Sequence, residues 1–200
     1  MIYDPIEVMA RNSFSNFHTK GLDYLCVHRS EELTIKVYFF ERGGQTAPEV
    51  ICPHDHRYPF HTQVLAGQSG HYRYSQHPVR RHMLPNDMTR YQKFDWRTPL
   101  LDGNGFEWIG EVDLERVAEE RYETGQSYYC RADEIHTIAV NDDTVIMLYQ
   151  FADTVPIDVP TSTFVPGFDK EPSSLGGLYE HMAEDRVIQL LSHLKELMKA

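Results

Sequence analysis

The run Leu33-Thr34-Ile35-Lys36-Val37-Tyr38-Phe39-Phe40 alternates apolar with more polar side chains, and this period of two constrains the chain more than any other feature. Successive strand residues project to opposite faces, so the run reads as a half-buried strand. Gly43-Gly44 then ends it with a turn. The signal recurs in short pieces. Residues 54–75 read as two strands broken at Gly67-Gln68-Ser69-Gly70, where glycine supplies the positive φ of a hairpin. Residues 83–104 read as a loop carrying one strand near 91–96. Stretches 106–112, 121–130, 134–140 and 145–151 read as further strands, with Asn141-Asp142-Asp143 turning between the last two. Many short strands with frequent turns predict a sandwich or barrel. The first 30 residues or so read as a mixed helical or irregular entry.

The C-terminal part differs. Pro156, Pro160 and Pro166 mark residues 152–176 as an extended linker wrapping the body. Beyond it, Leu178, Met182, Val187, Leu190, Leu191, Leu194 and Leu197 follow helical spacing. Glu180, Glu184 and Asp185 come early, and Lys195 and Lys199 late, as the helix dipole favours. The segment 177–199 is therefore expected to be an amphipathic helix packed on the barrel or on a second subunit. Its polar face lacks the basic character of a membrane-surface helix.

A formal net charge of −11 disfavours nucleic acid and anionic membranes as partners, since both demand a basic surface. No stretch approaches the roughly 20 apolar residues of a membrane span. The N-terminus lacks the basic and apolar regions of a signal peptide. Cys26, Cys52 and Cys130 are odd in number, widely spaced and without a CxxC pair, which argues for reduced thiols. A single domain in the cytoplasm is the expectation.

Eleven histidines prompt a search for metal-ligand spacing. The segment Pro53-His54-Asp55-His56-Arg57-Tyr58-Pro59-Phe60-His61-Thr62-Gln63-Val64-Leu65-Ala66-Gly67 carries an HxH pair. On an extended backbone the two imidazoles point together, as half of a transition-metal site. His136, in Glu134-Ile135-His136-Thr137-Ile138, offers the third ligand.

These surroundings resemble the cupin superfamily over roughly residues 33–151. Its first motif has paired histidines, a glutamate, and a glycine ending the strand; His54, His56 and Gly67 fit. Its second motif has a glycine, a histidine eleven residues later and often an asparagine; Gly125 and His136 match, with Asn141 one residue late. The resemblance implies an all-β cupin barrel (a double-stranded β-helix, or jelly roll) with an appended helix. It implies one divalent transition metal held by His54, His56 and His136. Homodimers are common among such barrels.

The departures carry information. The glutamate slot falls on Phe60, and Arg131 and Asp133 replace the proline and second glycine of the second motif. The long interval between motifs points to an insertion or extra strands within 80–110. A three-histidine face without a carboxylate resembles the thiol dioxygenases and some diketone-cleaving dioxygenases, which generally use iron(II). Nickel, zinc, copper and manganese remain open alternatives.

His61 has two readings. In unbroken register it faces away while Phe60, Thr62 and Val64 face inward; a one-residue bulge would turn His61 and Gln63 to the metal instead. His61 and Glu134 are thus the candidates for a fourth ligand or base. Cys52 and Cys130 lie near the ligands in sequence and read first as small packing residues. His71, His77 and His82 read as surface or loop residues.

Three neutral imidazoles leave the metal's full charge in place, which an anionic substrate would offset. Arg73, with Tyr72 beside it, and Gln63 are candidate substrate contacts, and Arg57, Tyr129 and Arg131 candidate rim residues. The first expectation is a non-haem dioxygenase acting on a small, anionic molecule with dioxygen. The second is a metal-dependent isomerase, lyase or hydrolase, which needs a protein base facing the metal. The third is a non-catalytic metal- or ligand-binding barrel.

Overall fold

The structure is a computed structural model, and it describes residues 2–17, 21–40, 52–79, 88–97, 105–167 and 180–199. Among these residues a short helix, α1 (Ile6–Asn12), precedes twelve strands, and α2 (Glu184–Leu197) follows them. The strands are β1 (Phe14–Ser15), β2 (Leu22–Arg29), β3 (Leu33–Phe40), β4 (Phe60–Ala66), β5 (Gln68–His77) and β6 (Met88–Arg97). They continue with β7 (Gly105–Glu123), β8 (Ser127–Cys130), β9 (Ile135–Val140), β10 (Thr144–Phe151), β11 (Thr161–Pro166) and β12 (Glu180–His181).

They form two antiparallel sheets, ordered β12-β1-β2-β3-β10-β4-β8 and β11-β6-β7-β5-β9. Neighbours are mostly distant in sequence, as in a jelly roll, where the chain passes repeatedly from one sheet to the other. The segment around His54 bridges both edges of the second sheet, pairing with His136 on β9 and Thr163 on β11. Within the described residues the fold is thus a closed all-β barrel with a C-terminal helix.

The alternation on β3 explains the layering. Ile35, Val37 and Phe39 join Leu25, Val27 and Met147 in a core shared with Val187, Leu190, Leu191 and Leu194 of α2. The opposite face carries Tyr38 and Phe40, which pack with Ile138 and Val140 of the second sheet. One face of the first sheet is therefore roofed by helices, and the other looks across the barrel. Asp23 on β2 anchors the helix through Arg186, at 2.6 Å.

Several elements differ from their sequence reading. β2 lies in the stretch read as irregular, and it is buried over six consecutive residues because both of its faces are covered. Stretches read as two strands, 106–112 and 121–130, belong to one 19-residue strand, β7, and to β8. β7 serves two partners in turn, β6 along its first half and β5 along its second. The stretch read as linker contains β11, which pairs with β6. Gly43-Gly44, His82 and Leu178 lie outside the described residues.

The turn between β4 and β5 is a single tight position. Gly67 has φ +77°, and a Cβ there would stand 2.5 Å from Thr144 Oγ1.

A histidine cluster between the sheets

His54 and His56 do not lie on β4. Bends at Arg57 and Tyr58 separate them from it, so register counted back from Gly67 stops before the pair. They sit on the extended segment that bridges the second sheet, where His54 and His136 exchange both backbone hydrogen bonds at 2.9 Å. Directly paired residues of an antiparallel ladder present their side chains to the same face. The ladder itself brings the third imidazole to the first two.

Ligand atoms of His54, His56 and His136 all lie within 4.8 Å of one another. His56 Nε2 stands 2.9 Å from His136 Nε2. That is the separation of two nitrogens each about 2.0–2.1 Å from one ion, in neighbouring coordination positions. His54 Nδ1 stands 2.9 Å from the Cys52 carbonyl, which only an N–H can satisfy, so its Nε2 keeps a lone pair. Burial holds His54 below its ordinary pKa, and holds His136 well below, with the neighbouring imidazoles adding to the effect. These rings are neutral at pH 7, as metal ligation requires.

Phe60 of β4 covers the cluster, its ring 5.2 Å from that of His56 and 5.4 Å from that of His136. Tyr58 packs on His56 at 5.1 Å. The site is walled by aromatic surface on the side of the first sheet, while His54 and His56 stay half-buried and His136 is buried.

His71 is the residue the sequence reading misplaced. It is 1% exposed, and its ring stacks on Tyr128 across the barrel at 4.3 Å. Its Nε2 lies 3.1 Å from His136 Nδ1. With His136 Nδ1–H donating to it, His136 presents its Nε2 lone pair to His54 and His56. Burial, and then the Arg73 charge, push His71 down to about 4. Its Nδ1 has no partner among the described residues. The only signal in the sequence is phase, since Ser69, His71 and Arg73 alternate on the face of β5 paired with Val140, Ile138 and His136.

The other candidates divide by face. Arg73 pairs in register with His136, and its guanidinium meets Glu120 at 3.1 Å. Glu134 approaches Cys130 Sγ at 3.6 Å, and Cys130, His71 and His136 form a second compact group on the Nδ1 side of His136. Burial and the Glu134 charge keep the Cys130 thiol protonated. His61 lies across β4 from Phe60, its ring 6.1 Å from Tyr149, and Gln63 shares that alternation. Tyr72 projects opposite to Arg73, under the Arg116 guanidinium. The structure does not bring His61, Gln63 or Tyr72 to the imidazoles.

Of the rim candidates, Arg57 donates to the Pro156 carbonyl, Arg131 pairs with Asp133, and Tyr129 is 55% exposed. His77 pairs with Glu115.

Strand order, closure and the imidazole cluster together define a cupin-type barrel with a histidine-lined centre. No protein-family model and no curated protein matches the chain. Among solved structures it is similar to an RmlC-like cupin from Shewanella frigidimarina, at 15% identity and a TM-score of 0.33, over 74% of this chain and 79% of that one. It is similar to hydroxypropylphosphonic acid epoxidase from S. wedmorenis, at 11% identity and a TM-score of 0.41, over 76% of this chain and 59% of that one. The nucleoside dehydratase Pac13 matches at 12% identity and a TM-score of 0.40, over 84% and 92%. Neither a substrate nor an activity passes to this chain from likenesses of that size. Among the described residues, no helix is long and apolar enough to cross a membrane.

Proposed function

We propose that the chain is a mononuclear non-haem metal oxygenase of the dioxygenase type, acting on a small anionic molecule, with His54, His56 and His136 as ligands. The observation that carries this is the convergence of the His54, His56 and His136 imidazoles, with no carboxylate among them in the described residues. An iron(II) ion bound there would supply the redox chemistry that dioxygen activation needs and a positive centre for an anionic substrate.

The chain's own groups do the rest. The Cys52 carbonyl orients His54, and His71 orients His136. Phe60 and Tyr58 exclude water from the reacting face. Arg73, on the same face of the second sheet as His71, has its charge met by Glu120 at 3.1 Å.

A Lewis-acid isomerase, lyase or hydrolase on the same barrel is the second reading, and it needs a base beside the ligands. His61 lies across β4, and Glu134 stands on the Nδ1 side of His136, so both are poorly placed for that role. Elemental analysis of anaerobically purified protein tests the proposal, with His136→Ala beside wild type. About one iron per chain, lost in the variant, is expected. Stoichiometric zinc or manganese would move the assignment to the second reading, and failure to bind any metal would end both.

A further inference from the structure

We infer that Lys36 is the anion-recognition residue of this barrel: its ammonium receives a carboxylate or phosphate-type oxyanion of the small molecule held between the sheets.

Lys36 sits at the middle of β3, in phase with Tyr38 and Phe40 and out of phase with Ile35 and Val37. Its side chain therefore leaves the first sheet toward the barrel interior, and it is 7% exposed. Its Nζ donates to the Tyr58 hydroxyl at 3.3 Å and lies over two rings, 4.9 Å from the Tyr58 centroid and 5.7 Å from that of Tyr24. No ion pair among the described residues includes Lys36.

An ammonium taken out of water is costly to a fold unless a counter-charge or a full set of hydrogen bonds replaces the water. Here one hydroxyl and two aromatic faces do so in part, and two N–H donors remain. The chain has 30 acidic residues against 19 basic ones, yet none of the acidic side chains described is placed opposite this amine. Arg29, another cation, bonds the hydroxyl of the same Tyr24. Such surroundings are complementary to an anion that comes from outside the chain.

Position links this amine to the imidazoles. Tyr58 takes the Lys36 hydrogen bond, and its ring lies 5.1 Å from that of His56. Lys36 and His56 thus both contact the Tyr58 ring, and the inferred ligand would run past that ring from one to the other. The inference deepens the proposed function, and it rests on that reading only for what the far end of the ligand meets.

The test uses the full chain, metal-loaded and metal-depleted, at constant ionic strength in chloride. Acetate and inorganic phosphate are the probes, followed by calorimetry and thermal melting. Wild type should bind at least one of them in both metal states, and a preference identifies the oxyanion class. Lys36→Met should bind it at least 10-fold more weakly and melt at or above the wild-type temperature without anion, because an uncompensated buried charge is gone. Lys36→Arg should keep the response. His136→Ala should also keep it while losing metal, so failure of the metal assignment would be seen separately. The inference is overturned if wild type binds neither probe, if Lys36→Met binds within 2-fold of wild type, or if that variant melts well below wild type.

Discussion

A single imidazole in this barrel has its tautomer set by another. His136 faces His54 and His56 with one nitrogen and His71 with the other, so the proton shared with His71 decides whether His136 can donate a lone pair to a metal. His71→Phe keeps a ring to stack on Tyr128 and removes the acceptor; the expected loss is about 10–100-fold in metal affinity. His71→Gln, whose carbonyl can accept from His136 Nδ1–H, should recover most of it. Competition with a chromophoric chelator measures both. A second readout is pH. His71 is held at about 4 against an ordinary value of 6.5, so the unfolded chain takes up its proton first. Stability of the metal-free protein is complete above about pH 6.5 and declines toward pH 4, by at most roughly 1.4 kcal/mol per pH unit from this group. Urea titrations across that window should show a shallower decline in His71→Phe, and an unchanged slope would remove His71 as its source. The HxH spacing was visible in the sequence because it is local. His71 and Lys36 were not, because each owes its meaning to the phase of a strand whose interior face becomes evident only from the opposite sheet.

Turns and strand ends decide which face of each element meets the site. β3 and β10 were legible almost to the residue, β3 from its alternating sequence and β10 as an apolar run after the Asn141-Asp142-Asp143 turn. β2 was not, because its buried run, residues 22–27, does not alternate and so does not stand apart from the entry segment. β7 was read as a strand and a separate later strand because its two halves serve different partners and its middle is buried while both ends are exposed. The β4–β5 turn was legible as a glycine turn but not as the expected hairpin, since β4 and β5 join different sheets, and its geometry makes a sharp test. Gly67→Ala would place a methyl 2.5 Å from Thr144 Oγ1 and 2.9 Å from Thr144 Cα at a positive φ. A loss of about 2–4 kcal/mol is expected from backbone strain and overpacking together. Chemical denaturation should register it, and a loss under about 1 kcal/mol would mean that the turn relaxes freely.

On the scale of the whole molecule, the helical layer and the imidazole centre stand on opposite sides of the first sheet. Leu194 is fully buried between α2 and that sheet. Leu194→Ala should cost about 2–5 kcal/mol of stability while leaving metal stoichiometry of the folded protein unchanged. A lost metal complement in folded, monodisperse variant would show that the layers are coupled. A sandwich or barrel followed from strand count and turn density, and the jelly roll only from the cupin resemblance; the seam that closes it was not legible, since it depends on a backbone pairing between residues some eighty positions apart. That seam also bears on release. His54 and His136 hold one another by two backbone hydrogen bonds, and Pro53 accepts another from Phe164 on the far edge. Parting His54 from His136 along this seam would pull the imidazoles away from one another, so a local opening there would release an occupant of the cluster without unfolding the rest of the barrel.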